Sequence, residues 1–246
     1  MDTSEQGKLL PFYVVIDVSY SMSGVKLDTA NQIMPAVLDA VAKAPILADK
    51  VRFSVIDFSD DARVRLPLCD ILDDGVQLPS LTLRGGTSFV SAFRLLRTEI
   101  ESNVKQLKAD GFLVHRPAVF FISDGVPTDQ DSAWQSAFAD LTTFDKVSRT
   151  GFSMYPNFVP FGVDDADPRT LQQLIHPTGG GKPMRMFLQS KDSDAAAAIA
   201  GMAEVLISSV LASGESMTRG DSGIILPSGD DLPPGLSSYT ADDDFV

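Results

Sequence analysis

Asp17, Ser19 and Ser21 set three oxygen-bearing side chains on alternate residues of one short stretch, Asp17-Val18-Ser19-Tyr20-Ser21. In an extended or tightly turned loop, alternate side chains converge on one side. Two further oxygen donors stand far away in the chain: Thr87, after Gly85-Gly86, and Asp124, after the run 119–123. Five oxygens suit a hard divalent cation. Magnesium takes six in an octahedron, waters among them. Three of the five are hydroxyls, which are neutral and weak ligands, so a metal held mainly by them keeps residual positive charge. Such a metal draws a carboxylate from outside to complete its shell, which is chemistry for recognition.

Catalytic readings fit less well. A haloacid-dehalogenase-type phosphatase also has an aspartate at the end of its first strand, but needs a second one two residues on as acid and base. Ser19 stands there and cannot do that work. A serine hydrolase needs its serine inside Gly-x-Ser-x-Gly with a histidine partner, and Ser19 and Ser21 lack those flanks. Gly179-Gly180-Gly181-Lys182 is followed by Pro183 instead of Ser or Thr, so it reads as a turn and not a phosphate loop. His115 and His176, the only histidines, both lie near prolines and read as loop residues, which argues against a histidine-rich zinc or iron site. The chain is therefore not expected to be an enzyme. Metal-assisted, phosphatase-like hydrolysis is the least favoured alternative.

The elements that must position these residues follow from hydrophobic spacing. Residues 12–16 are apolar throughout, as in a strand covered on both faces, and Asp17 ends them. A helix is expected over 26–43, bent at Pro35. Strands follow at 51–58 and 62–69, joined as a hairpin by Asp60-Asp61. After a loop at 73–80 and the Gly85-Gly86 turn, a helix runs to about residue 108. A buried strand over 117–123 ends at Asp124-Gly125. The rest reads as a helix at 131–148, a strand at 154–161, a short helix at 168–175, a strand at 183–188 and a helix at 191–211. Strands alternating with helices give an α/β fold: a doubly wound, mostly parallel six-stranded sheet with one antiparallel edge strand and helices on both faces. In such sheets ligands bind beyond the carboxyl ends of the strands. Asp17 and Asp124 both fall there.

The 246 residues are 44% hydrophobic, enough for one large core. The net charge of −13 argues against nucleic acid and against an anionic membrane as partner. Cys69 is the single cysteine, which suits a reducing, cytoplasmic setting, and it reads as a half-buried strand residue. No stretch reads as a signal peptide or a membrane span. The division expected is a domain over 1–212 and an acidic, Gly/Ser/Pro/Asp-rich tail over 213–246. That tail is expected to be flexible or docked on a partner, with apolar islands at Ile224-Ile225-Leu226, Leu236, Tyr239 and Phe245-Val246.

Asp17-Val18-Ser19-Tyr20-Ser21, with Gly-Gly-Thr87-Ser88 and Ser123-Asp124-Gly125, resembles the metal-ion-dependent adhesion site of von Willebrand factor A domains. The resemblance follows element order over roughly 10–211. It implies that Ser19, Ser21 and Thr87 touch the metal, with Asp17 and Asp124 acting largely through water and supporting hydrogen bonds. The metal is expected to be Mg2+, with Mn2+ or Ca2+ as alternatives. Tyr20, Gly86, Ser88 and Gly125 would form the rim that meets a partner. Tyr20 stands where glycine is commoner, although integrin β-type domains also carry a tyrosine there, and Ser123 stands where threonine is common. The runs 10–17, 85–88 and 121–129 are similar to the bacterial TerY-like branch linked to tellurite resistance and stress response. That implies a protein partner offering Asp or Glu, such as a protein kinase or phosphatase. A second reading makes the chain an adaptor that binds through its tail, the metal site being mainly structural.

Overall fold

A computed structural model describes residues 7–179, 183–218 and 224–244. The first strand, β1 (Lys8–Asp17), lies at the centre because every residue from Leu9 to Asp17 is buried. It is followed by α1 (Val25–Ala30), α2 (Ile33–Ala42), α3 (Pro45–Ala48), β2 (Val51–Phe58) and β3 (Ala62–Cys69). Next come α4 (Phe89–Ala109), β4 (Leu113–Val114), β5 (Ala118–Ser123), α5 (Asp131–Thr142), β6 (Phe144–Asp145) and β7 (Thr150–Gly151). The chain continues through β8 (Asn157–Gly162), α6 (Pro168–Gln172), β9 (Met186–Gln189), α7 (Ala195–Thr218) and β10 (Leu236–Tyr239).

The main sheet runs β10-β9-β8-β5-β1-β2-β3, with β4 paired to the start of β1. Its inner strands are parallel, and β3 and β10 are antiparallel at the two edges. This is the expected mixed α/β architecture, with eight strands in the main sheet instead of six and antiparallel strands at both edges instead of one.

Alternation along β5 separates two cores. Phe120 joins a row of rings, Phe53, Phe12, Phe120, Phe161 and Phe187, that crosses five strands with neighbouring centroids 4.9–6.2 Å apart. Phe121 points the other way, against Phe58, Phe89 and Phe93. There α4 and α5 supply Phe89, Phe93, Trp134 and Phe138. Helices α1, α2 and α7 pack together over the Phe12 face. Aromatic contacts of this kind add about 0.5–1.5 kcal/mol each beyond area burial, so the paired rings lock β1 and β5 side by side.

Four expectations differ from the structure. The helix expected over 26–43 is two helices, broken at Asn31-Gln32. Pro35 lies in the first turn of α2, where its missing N–H would have no intrahelical partner anyway. The helix expected to reach 148 stops at Thr142, and β6 and β7 form a small hairpin. There Gly151 is needed, since its φ is 94° and a Cβ would lie 2.3 Å from the Thr143 carbonyl. Helix α7 runs on to Thr218, because Ser213, Ser216 and Met217 are buried and Gly214 admits the Leu47 side chain. The segment expected to be flexible or docked on a partner returns to the sheet. Leu236–Tyr239 pairs with Met186–Gln189, covering an edge that would otherwise present unpaired backbone groups. Ile224 and Leu236 are buried, while Phe245-Val246 and the Gly180-Gly181-Lys182 turn lie outside the described residues. Cys69 is half-buried at the end of β3, as expected.

One stretch, Ala195–Met217, is long and apolar enough to cross a membrane by length and composition. Half of it is buried inside the fold, including Ile199, Met202, Leu206 and Val210.

Candidate metal centre

Strands β1 and β5 are parallel neighbours, with Ile16 opposite Ile122. Asp17 and Ser123 therefore emerge side by side at the same edge. The Ser123 hydroxyl donates to Asp17 Oδ2 at 2.7 Å, and the Ser19 backbone N–H donates to Asp17 Oδ1 at 2.8 Å. Both oxygens of Asp17 are thus used to hold the loop that follows. That loop continues as a 3-10 turn over Tyr20–Met22, anchored by the buried Met22 side chain, and Gly24 (φ 72°) then leads into α1.

The hydroxyls converge with the second carboxylate. Ser19 Oγ and Ser21 Oγ are 2.9 Å apart, and Ser21 Oγ donates to Asp124 Oδ1 at 2.7 Å. Thr87 arrives from a different loop, which is stitched to the first by Arg84 N–H to Val18 C=O (2.7 Å) and Tyr20 N–H to Gly85 C=O (3.1 Å). Asp60 braces the turn by accepting the Gly86 N–H at 2.8 Å. A Cβ on Gly85 would fall 1.7 Å from Asp60 Oδ2, so a side chain there would displace the carboxylate that braces the turn. The Thr87 carbonyl accepts from the Thr128 backbone N–H (2.8 Å) and hydroxyl (3.0 Å), which ties this loop to the segment after β5.

Gly125 shows where the donors point. A Cβ built there would lie 3.8 Å from Thr87 Oγ1 and 3.9 Å from Ser21 Oγ. Both hydroxyls therefore border the space beside Gly125. The donor set around it, three hydroxyls and two carboxylates, is all oxygen and fits a hard divalent cation with water completing the shell. Among the described residues no three His, Cys, Asp or Glu side chains gather as a metal cluster, so an ion here would depend on the hydroxyls.

The two carboxylates lie buried and close together. Burial pushes the Asp17 carboxyl up to about 6, and the nearby Asp124 charge adds to this, while hydrogen bonds from Ser19 and Ser123 oppose it. Lys26, on the first turn of α1, donates to Asp124 Oδ2 and, at 2.9 Å, to Asp164 Oδ2. Burial disfavours its charge, but bonds to the two carboxylates outweigh that and hold the ammonium above its ordinary pKa.

The structure thus brings Asp17, Ser19, Ser21, Thr87 and Asp124 to one edge of the sheet. Of the expected rim, Tyr20 is 70% exposed, and Gly86 and Gly125 border the site. Ser88 is buried as the cap of α4, accepting from Ser91 N–H and donating to Asp129 at 3.0 Å. Lys26, Ser123, Asp60 and Asp164 support the site without having been singled out as site residues. Asp60 and Asp164 read from sequence as solvated turns, and nothing local marks Lys26. Val126 and Val25, beside the site in sequence, are exposed apolar residues.

Doubly wound sheets bind ligands beyond the carboxyl ends of their strands, which is where the oxygen donors gather here. Residues 12–126 match the family model of the von Willebrand factor type A domain. Solved structures with this fold include a von Willebrand factor type A protein from Catenulispora acidiphila, with 14% identity, TM-score 0.55, and coverage of 83% of this chain and 43% of that one. The D319A mutant of the PilB minor pilin from Streptococcus sanguinis matches at 12% identity and TM-score 0.54, over 89% of this chain and 65% of that one. Proximal thread matrix protein 1 of the mussel byssus, solved with a zinc-occupied MIDAS motif, matches at 14% identity and TM-score 0.52, over 84% and 49%. The chain spans about half the length of several of these structures. No curated protein sequence matches it.

Proposed function

We propose that the chain is a divalent-cation-dependent protein-binding module that takes an Asp or Glu side chain of a partner at the edge formed by Ser19, Ser21 and Thr87. The observation that carries this reading is the linked run from Ser19 Oγ through Ser21 Oγ to Asp124, with Thr87 facing the same space across Gly125. Ser19, Ser21 and Thr87 would hold the ion, while Asp17 and Asp124 orient the hydroxyls. The ion would supply positive charge that three neutral hydroxyls leave uncancelled. Magnesium fits this donor set, and the zinc-occupied motif of the mussel relative supports a divalent ion at this kind of site. Von Willebrand factor A domains generally serve as non-catalytic interaction modules. A kinase- or phosphatase-associated partner in a TerY-like stress-response system is the biological setting we infer from the segments 10–17, 85–88 and 121–129.

The reading in which binding runs through the tail loses its main support. Ile224 and Leu236, two of its apolar anchors, are used inside the fold. Capture of a partner on the immobilised chain tests the proposal. Recovery is expected with magnesium and is expected to fail with EDTA or with Asp124→Ala. Equal recovery in all three conditions would reject it.

A further inference from the structure

The pole of the sheet opposite Asp17 and Asp124 holds a second polar feature. A cavity of about 170 Å³ opens beside the amino ends of β5 and β8. Lys108 near the end of α4, His115 and Arg116 of the β4–β5 link, and Ser153 and Tyr155 of the segment before β8 line it. In a chain of net charge −13 this is a local excess of cations. Lys8 and Arg116 are the charges that act on His115 and His176 respectively, and no carboxylate does. Among the described residues neither Lys108 nor Arg116 has an ion-pair partner.

Arg116 is held in place before any ligand arrives. Its guanidinium lies 4.1 Å from the Tyr155 ring centre and donates to the Tyr155 hydroxyl at 2.6 Å. One hydrogen bond leaves most of the five donors of an arginine fork for something else. The Nε2 atoms of His115 and His176 are buried with no hydrogen-bond partner, and His176 packs edge-on against Tyr155, 5.4 Å between ring centres. Buried polar atoms are nearly always paired, so unpaired ones beside a cationic cavity point to a missing acceptor. The donors come from two separate chain segments, the end of α4 and the β4–β5 link, with a third segment closing the cavity, which suits a tetrahedral anion better than a planar carboxylate. The cavity is smaller than the roughly 300–1,000 Å³ of pockets that bury whole drug-sized ligands, so the bound group is small.

We propose that this cavity is a binding site for a phosphate group, held by Arg116, Lys108 and the His115 imidazole. The site is independent of the metal centre, and its test runs in EDTA so that no ion can bridge phosphate to the protein. Because the chain has two histidines, their imidazole resonances report on the site directly. Inorganic phosphate and O-phosphoserine are titrated into the full chain against chloride at matched ionic strength. A saturable shift of the His115 signal is expected with a Kd of about 1 mM or tighter, weakened at least tenfold by Arg116→Ala and by Lys108→Ala. Tighter binding of O-phosphoserine would assign a monoester, and tighter binding of inorganic phosphate would assign the free anion. Lys108 is exposed, so its variant keeps the fold, and Arg116→Lys retains the charge while removing the fork. No saturable shift, an equal response to chloride, or unchanged binding in both alanine variants would overturn the proposal.

Discussion

Lys26 sets the charge that the candidate metal centre presents to an ion. Its ammonium already occupies one oxygen of Asp124 and one of Asp164, so it competes with a second cation and braces the carboxylates in that cation's absence. Lys26→Met is therefore expected to bind Mn2+ about tenfold tighter, a gain of about 1.4 kcal/mol, and to unfold at lower temperature without metal. Calorimetric titration and metal-free melting check both; weaker Mn2+ binding would show that Lys26 helps the ion. His176 gives a separate prediction. Burial, with Arg116 nearby, pushes it down to about 4. Between pH 6.5 and 4 the unfolded chain takes up a proton that the folded chain refuses. The stability this contributes is fully present above pH 6.5 and is lost as pH falls toward 4. Asp17 has the opposite sign, since its raised pKa stabilises the fold at low pH. Urea unfolding of the wild type is thus best compared with His176→Gln, where the Asp17 contribution is common to both. The wild type should lose ground on the variant as pH drops through that window.

At the scale of elements, the return of the chain as β10 is the main departure from what the sequence suggests. Leu236 is 7% exposed and sits where a Cβ on Gly201 of α7 would approach it to 3.2 Å. Leu236→Ala should cost about 2–4 kcal/mol, read from urea unfolding; a change below about 0.5 kcal/mol would mean the strand adds little. The reason β10 is hard to foresee is physical. A four-residue strand among Gly, Pro and Asp has no periodicity of its own, and it forms because β9 offers an open edge. The central strands are legible for the opposite reason, since 12–16 and 118–122 carry apolar residues at every position. Asp17 and Asp124 could be placed at strand ends from that alone. Ser88 could not be told from a rim residue, because its role as a cap depends on Asp129 reaching it from another loop. Lys26 was equally silent, since its partners are chosen by where α1 lands over the sheet.

For the whole molecule, two poles divide the chemistry. Oxygen donors and exposed Tyr20 gather at the carboxyl ends of the strands, while Lys108, His115 and Arg116 gather at the amino ends. Between them the phenylalanine rows hold β1 and β5 rigidly together, so the oxygen cluster is set by the core and not by the loops alone. An ion that binds only the folded chain stabilises it by mass action, about 2.7 kcal/mol at a hundredfold excess over Kd. The most direct measurement is calorimetric titration of Mg2+ and Mn2+ into the metal-free chain, beside a Ser21→Ala, Thr87→Ala double variant. One ion per wild-type chain and none for the variant is the predicted result. No saturable binding by the wild type, or the same isotherm for both proteins, would contradict the account.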